Sequence, residues 1–325
     1  MAKSIYMMIC DALRDGAEIG SVELPDDASD AGNGMKFAPG AADGICLYHM
    51  QLTDQSAEQA KAMARAVKAA SEGDHKKAEA LFYEWARGGN VVMGSDALCE
   101  YVMEHSDRLD ASNIYRTACA LMFDSAHVSC VKAGMVLLEL FDDIDEIVKE
   151  AMRRLGSHEE FTLFAVWNMR KWQNGNEEIF ALAKKVKDWG RVHAVNYLLP
   201  KTDEIRRWLL FEAVSGDTLA ADYSALVCWK KSEAEKLLFS GPTREEYRAI
   251  GRLISLLMDE GPVPGMSSIE NDVDILLRFL KVSGGFELTP DERGVIEEIK
   301  EWAEGGEYPV VDVLKECERL FSKNG

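Results

Sequence analysis

Residues 54–87 read DQSAEQAKAMARAVKAASEGDHKKAEALFYEWAR. Small and apolar side chains recur at helical spacing in the first half of this stretch, which predicts an amphipathic helix with Asp54 as its cap. Gly73 interrupts the pattern, and a second apolar face that includes Ala78 and Phe82 follows. Helices joined by such a short turn run antiparallel, so the stretch predicts a helical hairpin.

The helical pattern continues almost unbroken to the end of the chain. The further predicted helices span residues 95–106, 110–123, 125–142, 144–155, 158–173, 176–187, 190–199, 203–214, 219–229, 231–240, 243–259, 267–283, 290–303 and 309–322. Residues suited to N-caps precede or begin several of them, namely Ser95, Asp110, Thr202, Thr243 and Thr289. Because one hairpin cannot bury both of its apolar stripes, we expect successive hairpins to stack on one another.

The predicted fold is therefore all-α, a right-handed α-solenoid of stacked antiparallel hairpins over residues 54–325. Residues 1–53 differ, since a short helix at 3–15 is followed by a Gly- and Pro-rich stretch over 16–50. This composition predicts an irregular segment, with short extended pieces near FAPGAADGICLYHM, that packs on the array. The last helix, 309–322, either caps the array or marks the place where a longer protein continues.

Two parts of the sequence resemble known helical repeats. The first hairpin is similar to a tetratricopeptide repeat in its small Ala66, its turn GDHKKAEALF and its aromatic Phe82. Residues 188–214, DWGRVHAVNYLLPKTDEIRRWLLFEAV, resemble a HEAT-like unit, and this resemblance extends over residues 125–240. Arrays of both kinds are mostly protein-binding scaffolds, so the resemblance implies a non-enzymatic role in protein–protein interaction.

A further resemblance concerns the segments PGAADGICLYHM and WGRVHAV. They are similar to segments of Firmicutes proteins, some of which carry a limonene hydroxylase label. A hydroxylase needs a redox cofactor to activate oxygen, and the sequence contains no haem-ligand Cys motif, flavin signature or iron-binding triad. The label therefore assigns no residue and no cofactor to this chain.

Composition restricts the classes of partner. The formal net charge is -19 and the sequence pI is about 4.8, which disfavours binding to nucleic acid or to anionic membranes. Such a charge keeps a protein soluble, and the alternative is that it attracts a basic protein or peptide partner. The 7 cysteines include no CxxC pair, which argues against a disulfide framework or a zinc ribbon and fits a reducing cytoplasm. No apolar stretch is long enough to span a bilayer.

The sequence also lacks the common metal-binding, catalytic and phosphate-binding motifs. The 6 histidines include no HExxH pair, and the chain contains no GxSxG, GxGxxG or GxxxxGK[ST] motif. The sequence thus predicts no metal, no cofactor and no identifiable catalytic residue.

The candidate interaction surface lies in a locally basic and aromatic region of this acidic chain. Its residues are Trp189, Arg191, His193, Arg206, Arg207 and Trp208. Tryptophan and arginine are enriched at the energetic centres of protein interfaces. The structural alternative is that the Trp packs at a hairpin turn and the Arg satisfies the end of a neighbouring helix.

Two other functions stay open. An enzyme of unrecognised type would have its site in the central aromatic and basic groove, or beneath the Gly-rich segment. A nucleic-acid module in the manner of HEAT-like DNA glycosylases is the second alternative, although the net charge opposes it.

Overall fold

The structure is a computed structural model that describes residues 2–16, 19, 22–25, 37–50, 56–87, 90–215, 220–261, 263–305 and 309–323. Within these ranges the regular elements are eighteen α-helices and a short 3-10 helix, with no β-strand. The prediction of an all-α chain is confirmed.

The α-helices follow one another along the chain with short connections. They are α1 Ile5–Arg14, α2 Ala41–His49, α3 Ala57–Ser71, α4 His75–Arg87, α5 Val91–Glu104, α6 Ala111–Asp124, α7 Val128–Leu138, α8 Glu146–Gly156, α9 Glu159–Met169, α10 Gly175–Ala183, α11 Asp188–Tyr197, α12 Asp203–Phe211, α13 Asp222–Lys231, α14 Ala234–Ser240, α15 Arg244–Met258, α16 Asp272–Ser283, α17 Pro290–Gly305 and α18 Val311–Lys323. The 3-10 helix, Met266–Ser268, lies between α15 and α16.

The first hairpin forms as the sequence predicts. Helices α3 and α4 contact each other along their apolar faces, and Ala66 and Phe82 are both fully buried. The predicted cap, Asp54, lies outside the described residues, and a capping box of Ser56 and Gln59 begins α3 instead. Both side chains satisfy backbone N–H groups that have no partner within the helix.

Three other helix starts show whether the predicted cap residues are used. The side chain of Thr243 accepts a hydrogen bond from the Glu246 backbone N–H at the start of α15. At the start of α6, the side chain of Asp110 accepts one from the Asn113 backbone N–H. The prediction for Ser95 is wrong, because Asn90 caps a helix that begins at Val91. Val91 is buried, so the first turn gains apolar contacts that its local sequence does not reveal.

The chain forms two compact units, residues 1–197 and 198–325. In the first unit α3 pairs with α4, α6 with α7 and α8 with α9, while α4, α7, α9 and α11 contact one another in succession. In the second unit α15 contacts α13 and α17, and α18 contacts α16 and α17. The boundary falls after Tyr197, inside the predicted array, so a continuous solenoid over 54–325 stays a prediction.

The Gly-rich N-terminal segment differs from its prediction. Residues 41–49, expected to be irregular or extended, form helix α2, which contacts α5 and α11. Gly40, which directly precedes this helix, has a φ of 76°, a conformation that glycine adopts without steric cost. A β-carbon built on Gly44 would lie 2.1 Å from the Trp189 ring, so this glycine allows close packing instead of breaking the helix.

Candidate functional site

Three residues of the predicted interaction surface lie in the first unit, around α11. His193 is only 1% exposed, and its Nε2 lies 3.3 Å from the Gly40 carbonyl oxygen. Trp189 lies against α2, and Arg191 Nε donates a hydrogen bond to the Val186 carbonyl oxygen at 3.0 Å. These contacts correspond to the structural alternative, because they hold α2 and the turn before α11 in place.

The other three predicted residues lie on α12, in the second unit. Trp208 is buried, and Arg206 binds the Pro200 carbonyl and the Asp203 carboxylate. Arg207 is exposed, and its guanidinium lies over the Phe211 ring. Because the two groups of residues belong to different compact units, an interaction surface that combines them stays a prediction.

A buried ionic cluster lies beneath α2, in the first unit. Lys132 on α7 is 3% exposed, and its Nζ lies 2.8 Å from Asp43 Oδ2 and 2.5 Å from Glu160 Oε1. No motif in the sequence pointed to these three residues. The available signal was a single lysine within VSCVKAGMVLL, an otherwise apolar helix that the structure buries on all sides.

All four carboxylate oxygens of this cluster receive a hydrogen bond. Asp43 Oδ1 accepts from the Asn90 side-chain amide at 3.1 Å, and Glu160 Oε2 accepts from the Gly40 backbone N–H at 2.8 Å. The remaining two oxygens accept from Lys132. A buried charge is tolerated only when it is paired and hydrogen-bonded in this way, so the cluster is complete as it stands.

The charges in the cluster alter each other's proton affinities. Burial lowers the pKa of Lys132, but the carboxylates of Asp43 and Glu160 raise it by more, and the pKa lies above its usual value. Burial raises the pKa of Asp43, against the opposing effect of Lys132. For Glu160, burial raises the pKa, but Lys132 and the Gly40 N–H lower it by more. Burial also lowers the pKa of His193 to about 4, so this imidazole is neutral at pH 7.

The chemical consequence is that the cluster holds α2 on the surrounding helices. Asp43 is the contribution of α2, while Lys132 and Glu160 come from α7 and α9. Asp43 and Lys132 are almost completely buried, so the cluster is closed to a substrate in this structure.

A groove in the second unit exposes an aromatic side chain. We call it the Phe239 groove; it has a volume of about 720 Å³ and lies between α13, α14 and the segment that precedes α16. Its lining comprises Trp229, Lys230, Glu233, Glu235, Lys236, Phe239, Ser268, Ile269, Glu270 and Asn271. Trp229 is buried in its wall, whereas Phe239 is 49% exposed.

Two residues of this groove have a left-handed backbone conformation. Glu233 has a φ of 58° and Asn271 a φ of 63°, and each immediately precedes a helix. Asparagine tolerates this conformation, but glutamate adopts it at a cost of about 1–2 kcal/mol. Strained backbone of this kind is common at binding sites, where surrounding contacts hold it in place.

A second groove in the same unit lies between α15 and α17. We call it the α15–α17 groove, and its volume is about 500 Å³. Its lining comprises Tyr247, Arg248, Gly251, Arg252, Ser255, Phe279, Thr289, Asp291, Glu292, Val295 and Glu298. Arginines stand on the α15 side and carboxylates on the α17 side, and neither groove was anticipated from the sequence.

Two other kinds of site are absent from the described residues. No group of three His, Cys, Asp or Glu side chains in these ranges is arranged to hold a metal ion. Among the helices in these ranges, none combines the length and apolar character needed to cross a membrane.

The described residues therefore define an all-α protein with a buried ionic cluster in one unit and two grooves in the other. Comparisons with protein-family models, curated proteins and solved structures found no match to the chain. The resemblances to HEAT-like and tetratricopeptide-like repeats and to the Firmicutes proteins remain expectations from the sequence.

Proposed function

We propose that the protein is a non-enzymatic helical scaffold that binds a segment of a partner protein in the Phe239 groove. The observation that carries this proposal is the half-exposed Phe239 next to the buried Trp229, in a groove large enough for several side chains. An apolar side chain of the partner placed against Phe239 would remove both from water.

The composition of the groove supports this role. Aromatic residues at the centre of a protein interface supply much of its binding energy, and a surrounding polar rim excludes water. Phe239 and Ile269 would form the apolar centre, and charged residues of α13 and α14 would form the rim. Lys236 is paired with Glu233 at 3.0 Å on one side of this rim.

Charge indicates the kind of partner segment. The lining of the groove contains three carboxylates, Glu233, Glu235 and Glu270, and two lysines, Lys230 and Lys236. With the net charge of -19 for the whole chain, this excess of carboxylates favours a segment in which basic residues flank a large apolar residue. The proposed partner is therefore a basic protein or peptide.

The contacts in the first unit support the array part of the proposal. Helices α4, α7, α9 and α11 contact one another in succession, as the corresponding helices of stacked hairpins would. We propose that these hairpins form a HEAT-like or tetratricopeptide-like stack, which supports the binding function.

The experiment uses a photo-crosslinking amino acid in place of Phe239 in the full chain, expressed in its native cells. We expect the crosslink to map to one segment of a partner, and we expect Phe239→Glu to abolish capture of that partner. Val311→Glu is the matched control, since Val311 is another half-exposed apolar residue of the same unit. Equal capture by both variants, or crosslinks scattered over unrelated proteins, would contradict the proposal.

The ionic cluster is the observation that favours an enzyme as second candidate function, because perturbed ionisable groups are frequent in active sites. A substrate could reach Lys132 only if α2 opened in the folded protein. An amine-reactive reagent tests this requirement: modification of Lys132 without global unfolding would favour the enzyme. Modification only at the rate of unfolding would exclude a site there.

A further inference from the structure

The α15–α17 groove carries charges of opposite sign on its two sides. Arg248 and Arg252 belong to α15, and Asp291 and Glu298 belong to α17. Among the described residues, no ion pair joins Arg252 to Asp291 or Glu298, and these two carboxylates have no hydrogen-bond partner. The groove therefore presents positive charge on its α15 side and negative charge on its α17 side to any ligand that binds there.

Existing contacts hold the arginine side in place. Arg248 Nε donates to Glu292 Oε1 at 3.1 Å, while Arg244 Nη2 donates to the other oxygen of the same carboxylate at 2.5 Å. Arg252 uses Nη1 for a hydrogen bond to the Phe211 carbonyl oxygen at 3.1 Å, and the rest of its guanidinium has no described partner. Arg252 is thus oriented but retains donors for a carboxylate.

The floor of the groove is apolar. Phe279 lies against α15 at Gly251, where an added β-carbon would approach the Phe279 Cζ to 3.2 Å. A glycine inside a helix costs about 1 kcal/mol relative to alanine, so its place in α15 has a packing reason. With Val295 on the opposite side, this floor can accommodate an aliphatic side chain.

We propose that the α15–α17 groove binds a short zwitterionic peptide, with its carboxylate at Arg252 and its amine at Glu298. Helices in contact have axes about 8–10 Å apart, so charges on their facing sides are separated by several ångströms. A dipeptide extends over roughly 6–7 Å, which suits this separation better than a single amino acid does. The volume of about 500 Å³ lies within the usual range for small-molecule sites.

The test is a calorimetric titration of the full chain with the dipeptide Ala-Leu, its N-acetyl form and its C-terminal amide. We expect Ala-Leu to bind, and we expect each blocked form to bind about tenfold more weakly, because each has lost one charge-assisted contact. Arg252→Gln should weaken the binding of Ala-Leu, but it should not further weaken the binding of the C-terminal amide. Glu298→Gln should weaken the binding of Ala-Leu, but it should not further weaken the binding of the N-acetyl form.

Matched variants separate this effect from general changes in charge. Arg207→Gln and Glu301→Gln each remove an exposed charge of the same unit outside the groove, and both should leave the affinity unchanged. Phe239→Glu should also bind Ala-Leu normally, because this site is independent of the Phe239 groove. No binding of Ala-Leu at millimolar concentration, equal binding of the blocked forms, or equal losses in the control variants would overturn the proposal.

Discussion

Lys132 Nζ lies 2.8 Å from Asp43 Oδ2 in a part of the core where both side chains are almost completely buried. The two residues are far apart in the sequence, and their pairing attaches the short helix α2 to the centre of the first unit. Glu160 completes the cluster from α9. The stability of this unit should therefore depend on all three charges together.

Lys132→Met is expected to destabilise the folded protein by about 3–5 kcal/mol, because it leaves two buried carboxylates without their cation. Lys76→Met is the matched control, since Lys76 is exposed on α4 and should change the free energy of unfolding little. Urea-induced unfolding measures both. In the triple variant that also carries Asp43→Asn and Glu160→Gln, we expect part of the stability to return. A triple variant less stable than Lys132→Met alone would contradict the interpretation.

Gly44→Ala is expected to destabilise the protein by about 1–3 kcal/mol, because the added methyl group would overlap the Trp189 ring. Gly294→Ala provides the control. Gly294 is also a helical glycine, but an added β-carbon meets nothing within 4 Å, so we expect a gain of up to about 1 kcal/mol. Thermal unfolding of both variants gives the comparison, and equal effects would show that α2 does not lie against Trp189.

His193 should make the stability depend on pH. Its pKa is about 4 when folded and near its usual 6.5 when unfolded, so the unfolded chain takes up this proton first as the pH falls. The stability that the neutral His193 side chain contributes to the folded state is complete above pH 6.5. It is lost progressively between pH 6.5 and 4, by up to about 3 kcal/mol. In His193→Gln, which can still donate to the Gly40 carbonyl, this part of the pH dependence should disappear. Unfolding curves of equal pH slope for both proteins would contradict the prediction.

Thr243→Ala removes the side chain that caps α15 and is expected to cost about 1 kcal/mol of stability. Ser240→Ala is the control, because the Ser240 hydroxyl is exposed and donates only to the Leu237 carbonyl oxygen. Urea unfolding of the two variants would separate a capping effect from the loss of any surface hydroxyl. A loss in Ser240→Ala as large as in Thr243→Ala would count against capping.

Helices and their caps were the most predictable features. The hairpin of α3 and α4 and the cap that Thr243 provides at the start of α15 follow from the sequence alone, and both are confirmed. Helix α2 was missed because the sequence around Gly40 and Gly44 has the composition of a loop. Its stabilising contacts come from Trp189, more than a hundred residues away.

The candidate sites were less predictable. Trp189 and His193 were selected for their residue types, and the structure uses both to hold α2. The grooves of the second unit escaped detection because each combines side chains from several helices. The residues next to Phe239 in the sequence, for instance, do not show that its side chain is exposed and not part of the core.

Local order along this chain follows from interactions within one or two helical turns. Apolar spacing, cap residues and turn glycines act over that distance, so the all-α character and most helix positions could be inferred directly. The burial of Lys132 with Asp43 and Glu160, the helix at 41–49 and the shapes of both grooves depend on contacts between residues distant in sequence. Such contacts arise only when helices pack, because packing excludes water and brings together charges and surfaces that no local pattern connects.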